Sequence, residues 1–267
     1  MKARQALVLV ATMAACAQAP TESSEPDLEV PDAVVIDDYP VDAEALYAEF
    51  APLPSGPVAV DYDVKGPGGM KGTMNVVVAE GSRRAEAWTL QMPMPDGETM
   101  TIDGRAVQSP SVSWTDAAEG SAQAVPLPLG RIGAAFFELD VDTQHAVVDH
   151  VRTWHREVAR GRDAHPGAVD TVAGQSCLRT QTAGQVLCVW EATGLPLEYR
   201  SEAFVVVATS VRVGVNVEDG TFAVPPGAPL RADALQTFDE AASLSKLASG
   251  NLAELPSLLQ PRLRLPG

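Results

Sequence analysis

The chain of 267 residues carries a formal net charge of −16 and contains three cysteines. This acidic balance excludes the clustered basic surface that nucleic-acid binding needs, and it disfavours adhesion of the polypeptide itself to an anionic membrane. Without an N-terminal signal about 250 residues remain, which suits one large or two small domains with a substantial core.

Residues 1–15 have the layout of a secretory signal peptide. Lys2 and Arg4 form a basic start, and the apolar run from Leu7 to Ala15 has about half of the roughly 20 residues that a membrane-spanning helix needs. The run Met13-Ala14-Ala15-Cys16 resembles the lipobox of bacterial lipoproteins. The resemblance implies cleavage before Cys16, acylation of Cys16 with chains such as palmitate, and anchoring in the bacterial outer membrane. The alternative is an ordinary secretory signal in which the cysteine is incidental.

Residues 16–40 form an acidic linker. No basic residue occurs from Ala17 to Val64, whereas seven carboxylates occur from Glu22 to Asp38. Low hydrophobicity with a single sign of charge cannot compensate the entropy lost on ordering, so we expect a disordered tether. A flexible linker of this length spans roughly 25–30 Å.

From Asp42 the pattern becomes that of a folded domain. Asp42 to Phe50 predicts a short helix with Asp42 as its N-cap. From Val58 to Trp114 apolar and polar residues alternate in short segments, separated by turn sequences that include Gly66–Gly69 and Asp103-Gly104. This pattern predicts an antiparallel meander with one apolar face.

A helical insertion follows the meander. Residues 131–139 and 142–160 have helical periodicity, and the second segment carries an apolar stripe before Gly161, which we expect to end it. His145, His150 and His155 are five residues apart, so their side chains diverge by about 140° and cannot converge on a metal ion. Together with His165 further on, they predict boundary or solvated histidines rather than a metal site.

A second β region begins at Val169 and contains the remaining cysteines, Cys177 and Cys188. An even pair in an exported protein favours a structural disulfide. If the hairpin turns at Thr182-Ala183, the two cysteines lie directly opposite each other on adjacent strands. Alternating valines then predict a long strand from Val205 to Val217.

The C-terminal tail, residues 229–267, starts with a helical pattern from Arg231 to Ser249 and ends in a leucine-rich segment broken by prolines. Three roles stay open for it: it packs on the domain, fills the concave side of the sheet, or binds another envelope protein.

The order of these elements is similar to the LolA/LolB-type superfold, and the stretch from Val172 to Gly227 resembles a pattern of uncharacterised bacterial lipoproteins with that fold. The resemblance covers about residues 41–228. It implies an α+β fold in which a curved antiparallel sheet, a half-barrel, wraps around helices and leaves an apolar cavity. Proteins of this fold carry or sense acyl chains and lipoproteins. We expect the tryptophans to be the cavity-lining residues: Trp88, Trp114, Trp154 and Trp190.

The sequence therefore favours a non-catalytic, membrane-anchored binding protein for an apolar ligand or a lipidated partner, without a cofactor. No zinc-protease, Walker or Gly-x-Ser-x-Gly motif occurs. Gly174 to Cys177 comes nearest to a nucleophile elbow but lacks the final glycine. The alternatives are an assembly lipoprotein with no ligand and an envelope hydrolase.

Overall fold

The computed structural model describes residues 39–53, 55–116, 122–164, 168–182, 184–190, 192–218, 220–231, 235, 237–253 and 255–259. The predicted signal peptide, Cys16, residues 17–38 of the linker and His165 lie outside the described residues. Within them the chain is an α+β protein built on one large antiparallel sheet of 11 strands. This sheet is open and does not close into a barrel.

Two antiparallel meanders make up the sheet. The first comprises β1 (Val58–Lys65), β2 (Lys71–Ala79), β3 (Arg83–Pro93), β4 (Thr99–Gln108), β5 (Val112–Asp116) and β6 (Gln123–Pro126). The second comprises β7 (Ala168–Val172), β8 (Gln175–Thr182), β9 (Gln185–Trp190), β10 (Pro196–Arg200) and β11 (Val205–Val213). Because β11 pairs with β1, the spatial order is β6-β5-β4-β3-β2-β1-β11-β10-β9-β8-β7.

The helices are α1 (Ala43–Phe50), α2 (Pro128–Phe136), α3 (Val141–Ala164), α4 (Glu240–Ala248) and α5 (Leu255–Leu259). They bury their apolar residues mainly against one another. We call this group the helical cluster; its fully buried members are Leu46, Phe50, Leu129, Ile132, Phe136, Val147, Val148, Val151, Leu244, Leu247, Leu255 and Leu258. The described part of the C-terminal tail therefore shares a core with the first helix.

Backbone hydrogen bonds attach the helical cluster to one end of the sheet. The N–H of Gly81, in the β2–β3 turn, donates to the carbonyl of Ala51 just after α1. The N–H of Leu127, just before α2, donates to Ser111 in the β4–β5 turn. Both turns lie at the same end of the meander, so the helices are segregated to that end, one of the standard ways of covering an antiparallel sheet.

The period-two pattern of the sequence sets which face of the sheet is buried. Val60 of β1 lies opposite Val76 of β2, and Tyr62 lies opposite Met74, and all four side chains are buried. We call the face that carries these residues the inner face. Its side chains belong to the sheet cluster, the largest buried apolar group among the described residues. The predicted antiparallel meander is confirmed, but its buried apolar residues are not confined to this one face.

The opposite, outer face of β3–β6 is covered by the chain that follows β11. Ala85, Val107, Trp114 and Ala124 lie in one cross-strand row on this face and are buried. Side chains of residues 222–228 pack on the row. Ala124 also forms a bridge to Leu230, which covers the free side of β6 with backbone hydrogen bonds.

Several predicted element boundaries were wrong. Helix α2 begins at Pro128, and α3 continues through Gly161 to Ala164. Asp140 precedes α3, and its carboxylate caps the first turn by accepting the N–H of Thr143. Strand β11 ends at Val213, four residues before the predicted end, and α4 begins only at Glu240.

The largest correction concerns Asp103-Gly104, which the sequence predicted as a turn. Strand β4 runs straight through it from Thr99 to Gln108. The glycine is needed there for space, because a Cβ at Gly104 would lie 2.2 Å from the indole ring of Trp88 on the neighbouring strand. An Asp-Gly pair often marks a turn, but a glycine inside a strand also marks a place where a neighbouring group comes close to the backbone.

Candidate functional site

The inner face of β3 and β4 carries an apolar surface that opens toward solvent. Three cross-strand pairs build it: Trp88 opposite Gly104, Leu90 opposite Ile102, and Met92 opposite Met100. Leu90 is buried, Trp88, Met92 and Ile102 are half-buried, and Met100 is 41% exposed. We call these six residues the β3–β4 trough. Its apolar side chains become more exposed toward the tip of the hairpin.

The indole of Trp88 lies over Gly104 at the closed end of the trough. Its Nε1–H is buried and has no hydrogen-bond partner among the described residues, although part of the residue reaches solvent. The phenol oxygen of Tyr199, in the sheet cluster, is also buried without a partner. A buried donor that stays unpaired costs about 1–3 kcal/mol, so each can gain from a carbonyl or carboxylate acceptor on a ligand.

Polar groups border the trough on the side of the β2–β3 turn. Glu86 lies on the inner face opposite Val76, is buried, and accepts a hydrogen bond from Nε of Arg84. Nearby, burial raises the pKa of Tyr62 well above its ordinary value, and its hydroxyl donates to the carbonyl of Pro196 at 2.9 Å. The tyrosine is therefore a neutral donor that links β1 to β10 at physiological pH.

The four tryptophans expected to line one cavity lie in three different clusters. Trp190 belongs to the sheet cluster and Trp88 packs against it. Trp114 lies in the buried row on the outer face, and Trp154 packs against the helical cluster. Only Trp88 is part of the β3–β4 trough. Residue type indicated that these rings are buried, but not which face of which element buries them.

The predicted disulfide between Cys177 and Cys188 is confirmed, with Cα atoms 5.4 Å apart. Its cross-strand register differs from the prediction. Thr182 pairs with Gln185 across the β8–β9 turn, so Cys177 lies opposite Trp190 and Cys188 lies opposite Arg179. The two cysteines are therefore diagonal neighbours on the same face of the hairpin, and both are fully buried.

Two of the described histidines, His150 and His155, connect helices. Nδ1 of His150 lies 3.0 Å from the carbonyl oxygen of Leu247 in α4, and Nε2 of His155 lies 3.1 Å from that of Phe50 at the end of α1. Because a carbonyl only accepts, each nitrogen must carry its proton. Within the described ranges no three His, Cys, Asp or Glu side chains are grouped as metal ligands.

A groove of about 430 Å³ lies on the outer face, between β2–β4 and the chain that follows β11. Val77, Ala85 and Ala87 form an apolar part of its lining, and Arg105 spans it by donating to the carbonyl of Thr221 at 3.1 Å. The groove is distinct from the β3–β4 trough because its strand residues, apart from Glu86, project from the other face of the sheet.

Comparison with protein-family models gives no match, and no curated protein matches the chain. Among solved structures, the crystal structure of MucB is similar over 68% of this chain and 63% of that chain, with 11% sequence identity and a TM-score of 0.27. The match therefore spans less than two thirds of that protein's length. A similarity at this level carries no conclusion about fold or function.

Sequence reasoning did not find the methionine rim of the trough or the role of Gly104. The sequence feature that could have indicated both is the pairing of Trp88 with Gly104 on the next strand. This pairing can be seen only once the register of the two strands is known. In the part of the chain that the structure describes, no helix has the length and apolar character needed to cross a bilayer.

Proposed function

We propose that this protein is a non-catalytic lipoprotein of the bacterial outer membrane that binds an apolar ligand or a lipidated partner in the β3–β4 trough. In this proposal the sheet is a LolA/LolB-like half-barrel that curves around helices, and acyl chains on Cys16 hold it at the membrane through the acidic linker. The trough carries the proposal, because it combines a solvent-accessible apolar surface with an unpaired buried donor.

The chemistry of the trough suits an acyl chain with an oxygen-bearing head. Methionine side chains adapt to irregular apolar ligands, and Met92 and Met100 face each other at the open end. The Trp88 Nε1–H can donate to an ester or carboxylate oxygen at the closed end. The disulfide is consistent with an oxidising envelope compartment.

Fluorescence quenching by palmitate brominated on the carbon next to its carboxylate tests the trough, because the proposal places that end of the ligand at Trp88. We expect the fatty acid to quench part of the tryptophan emission and Trp88→Phe to remove most of that quenching. Trp114→Phe is the matched control, because Trp114 is also buried with an unpaired Nε1 but lies on the outer face. Quenching that is absent, or that Trp88→Phe leaves unchanged, contradicts the proposal.

The membrane anchor is tested separately. Mass spectrometry of the protein made in a bacterial host should show an N-terminal peptide that begins with acylated Cys16. Cys16→Ser should release the protein from the membrane fraction. An unmodified Cys16 within an intact or differently cleaved N-terminus contradicts the anchor, whatever the quenching experiment shows.

A further inference from the structure

The disulfide lies beneath a row of charged side chains. Cys188 lies on β9 and has a charged residue opposite it on each neighbouring strand. These residues are Arg179 of β8 on one side and Glu198 of β10 on the other. Directly opposed residues of neighbouring strands project from the same face. The Arg179–Glu198 ion pair, with 2.5 Å between Nη2 and Oε2, therefore spans β9 at the position of Cys188.

The other cysteine of the disulfide has a charged neighbour on one side only. Cys177 lies between Asp170 of β7 and Trp190 of β9. Nε of Arg179 donates to the Asp170 carboxylate at 2.8 Å, so a single guanidinium joins carboxylates on both sides of the disulfide. Glu198 is 3% exposed and also pairs with Arg200, whereas Arg179 keeps 30% of its side chain exposed.

We propose that the Asp170–Arg179–Glu198 row is a cover that keeps the disulfide out of thiol–disulfide exchange while the protein is folded. Both cysteines are 0% exposed, although the hairpin that carries them has exposed neighbours on either side such as Ser176 and Thr180. Arg179 and Asp170 keep 30% and 45% of their side chains exposed, so the ion pairs of the cover can break without unfolding of the sheet.

The chemistry that the cover blocks is reduction by an external dithiol. A thiolate of the reductant attacks one cysteine sulfur, a mixed disulfide forms, and the other cysteine leaves as a thiolate. The second thiol of the reductant then attacks the mixed disulfide, so the reductant ends oxidised and both cysteines end reduced. The first attack requires access to a sulfur atom. Cys188 is 0% exposed in the sheet cluster, and in this proposal the Arg179–Glu198 ion pair that spans β9 closes the remaining approach to it.

The test is the rate at which dithiothreitol reduces the folded full-length protein. Samples are alkylated at intervals, and modified Cys177 and Cys188 are counted in peptides by mass spectrometry. Arg179→Met removes the cover and should speed reduction about fivefold, the upper effect of losing a partly exposed ion pair on local opening. Arg200→Met is the matched control, because Arg200 pairs with Glu198 from the same strand and does not span β9.

The free energy of unfolding is measured for each variant, so that reduction through global unfolding can be separated from local opening. Faster reduction in Arg179→Met than in Arg200→Met at similar stability supports the cover. Equal rates in the two variants, or rates that simply follow global stability, overturn it. If Arg179→Met does not fold, Arg179→Lys, which keeps the charge but loses the planar fork, is compared with Arg200→Lys in the same way.

Discussion

Tyr39 stacks on His145 with 3.7 Å between the ring centroids and 14° between the ring planes. The hydroxyl of Tyr39 donates to the Asp149 carboxylate at 3.1 Å, and the guanidinium of Arg152 lies 5.4 Å from the tyrosine ring. Three side chains of α3, one turn apart, thus hold the first described residue of the chain. This contact holds the start of the described chain at the helical end of the sheet.

Replacing Tyr39 by alanine should lower the free energy of unfolding by about 1–2 kcal/mol, because the ring loses both its stacking and its cation–π partner. Tyr39→Phe keeps the ring and loses only an exposed hydrogen bond, so it should cost less than about 1 kcal/mol. Urea denaturation followed by circular dichroism measures both. Equal losses in the two variants would show that the hydroxyl, not the ring, carries the contact.

Stability should fall at alkaline pH through Tyr62. Burial raises the pKa of the folded phenol above its ordinary value of 10.0, so the contribution is complete below pH 10 and is lost as the unfolded chain ionises above it. Tyr62→Phe loses the hydrogen bond to Pro196 and should be about 1 kcal/mol less stable at pH 8. Above pH 10 its disadvantage should shrink by up to ~1.4 kcal/mol per pH unit.

Denaturation curves of wild type and Tyr62→Phe between pH 8 and pH 11 test this difference. Tyr47, whose pKa burial also raises, is present in both proteins and cancels. A difference between the two proteins that stays constant over the whole range would contradict the prediction.

The C-terminal segment should be required for the stability of the fold. Leu247→Ala removes a side chain that is 1% exposed in the helical cluster and should cost about 2–5 kcal/mol. Leu230→Ala, at a leucine that is 61% exposed, should change stability by less than about 0.5 kcal/mol. Thermal unfolding of both variants is the measurement. A small effect of Leu247→Ala would mean that α4 contributes little to the core.

Gly104→Ala should disturb the closed end of the trough. The added Cβ would lie 2.2 Å from the Trp88 ring, so the indole must move, at a cost of about 1–3 kcal/mol. The same substitution in a Trp88→Leu background should cost less, because the clash is gone; a double-mutant cycle measures this coupling. Additive effects of the two changes would show that the contact is not the reason for the glycine.

Local sequence rules identified much of this protein. Alternation of apolar residues determined the strands and their buried face, Asp42 capped α1 as predicted, and the paired cysteines formed their disulfide. These features depend on residues that are near in sequence or on one hairpin, so the signal is contained in a short window. For the same reason the C-terminal leucines were visible as a helical pattern, although the surface that buries them was not.

Tertiary structure alone decided what lies next to what across the sheet. Gly104 is a strand residue because Trp88 of the neighbouring strand needs its space, and Arg179 reaches Glu198 only because a third strand lies between them in that register. The tryptophans separated into three clusters for the same cause. The residues around a position set its backbone preference. Its cross-strand partners depend instead on the register in which distant segments pair. That register determines where the trough and the covered disulfide lie.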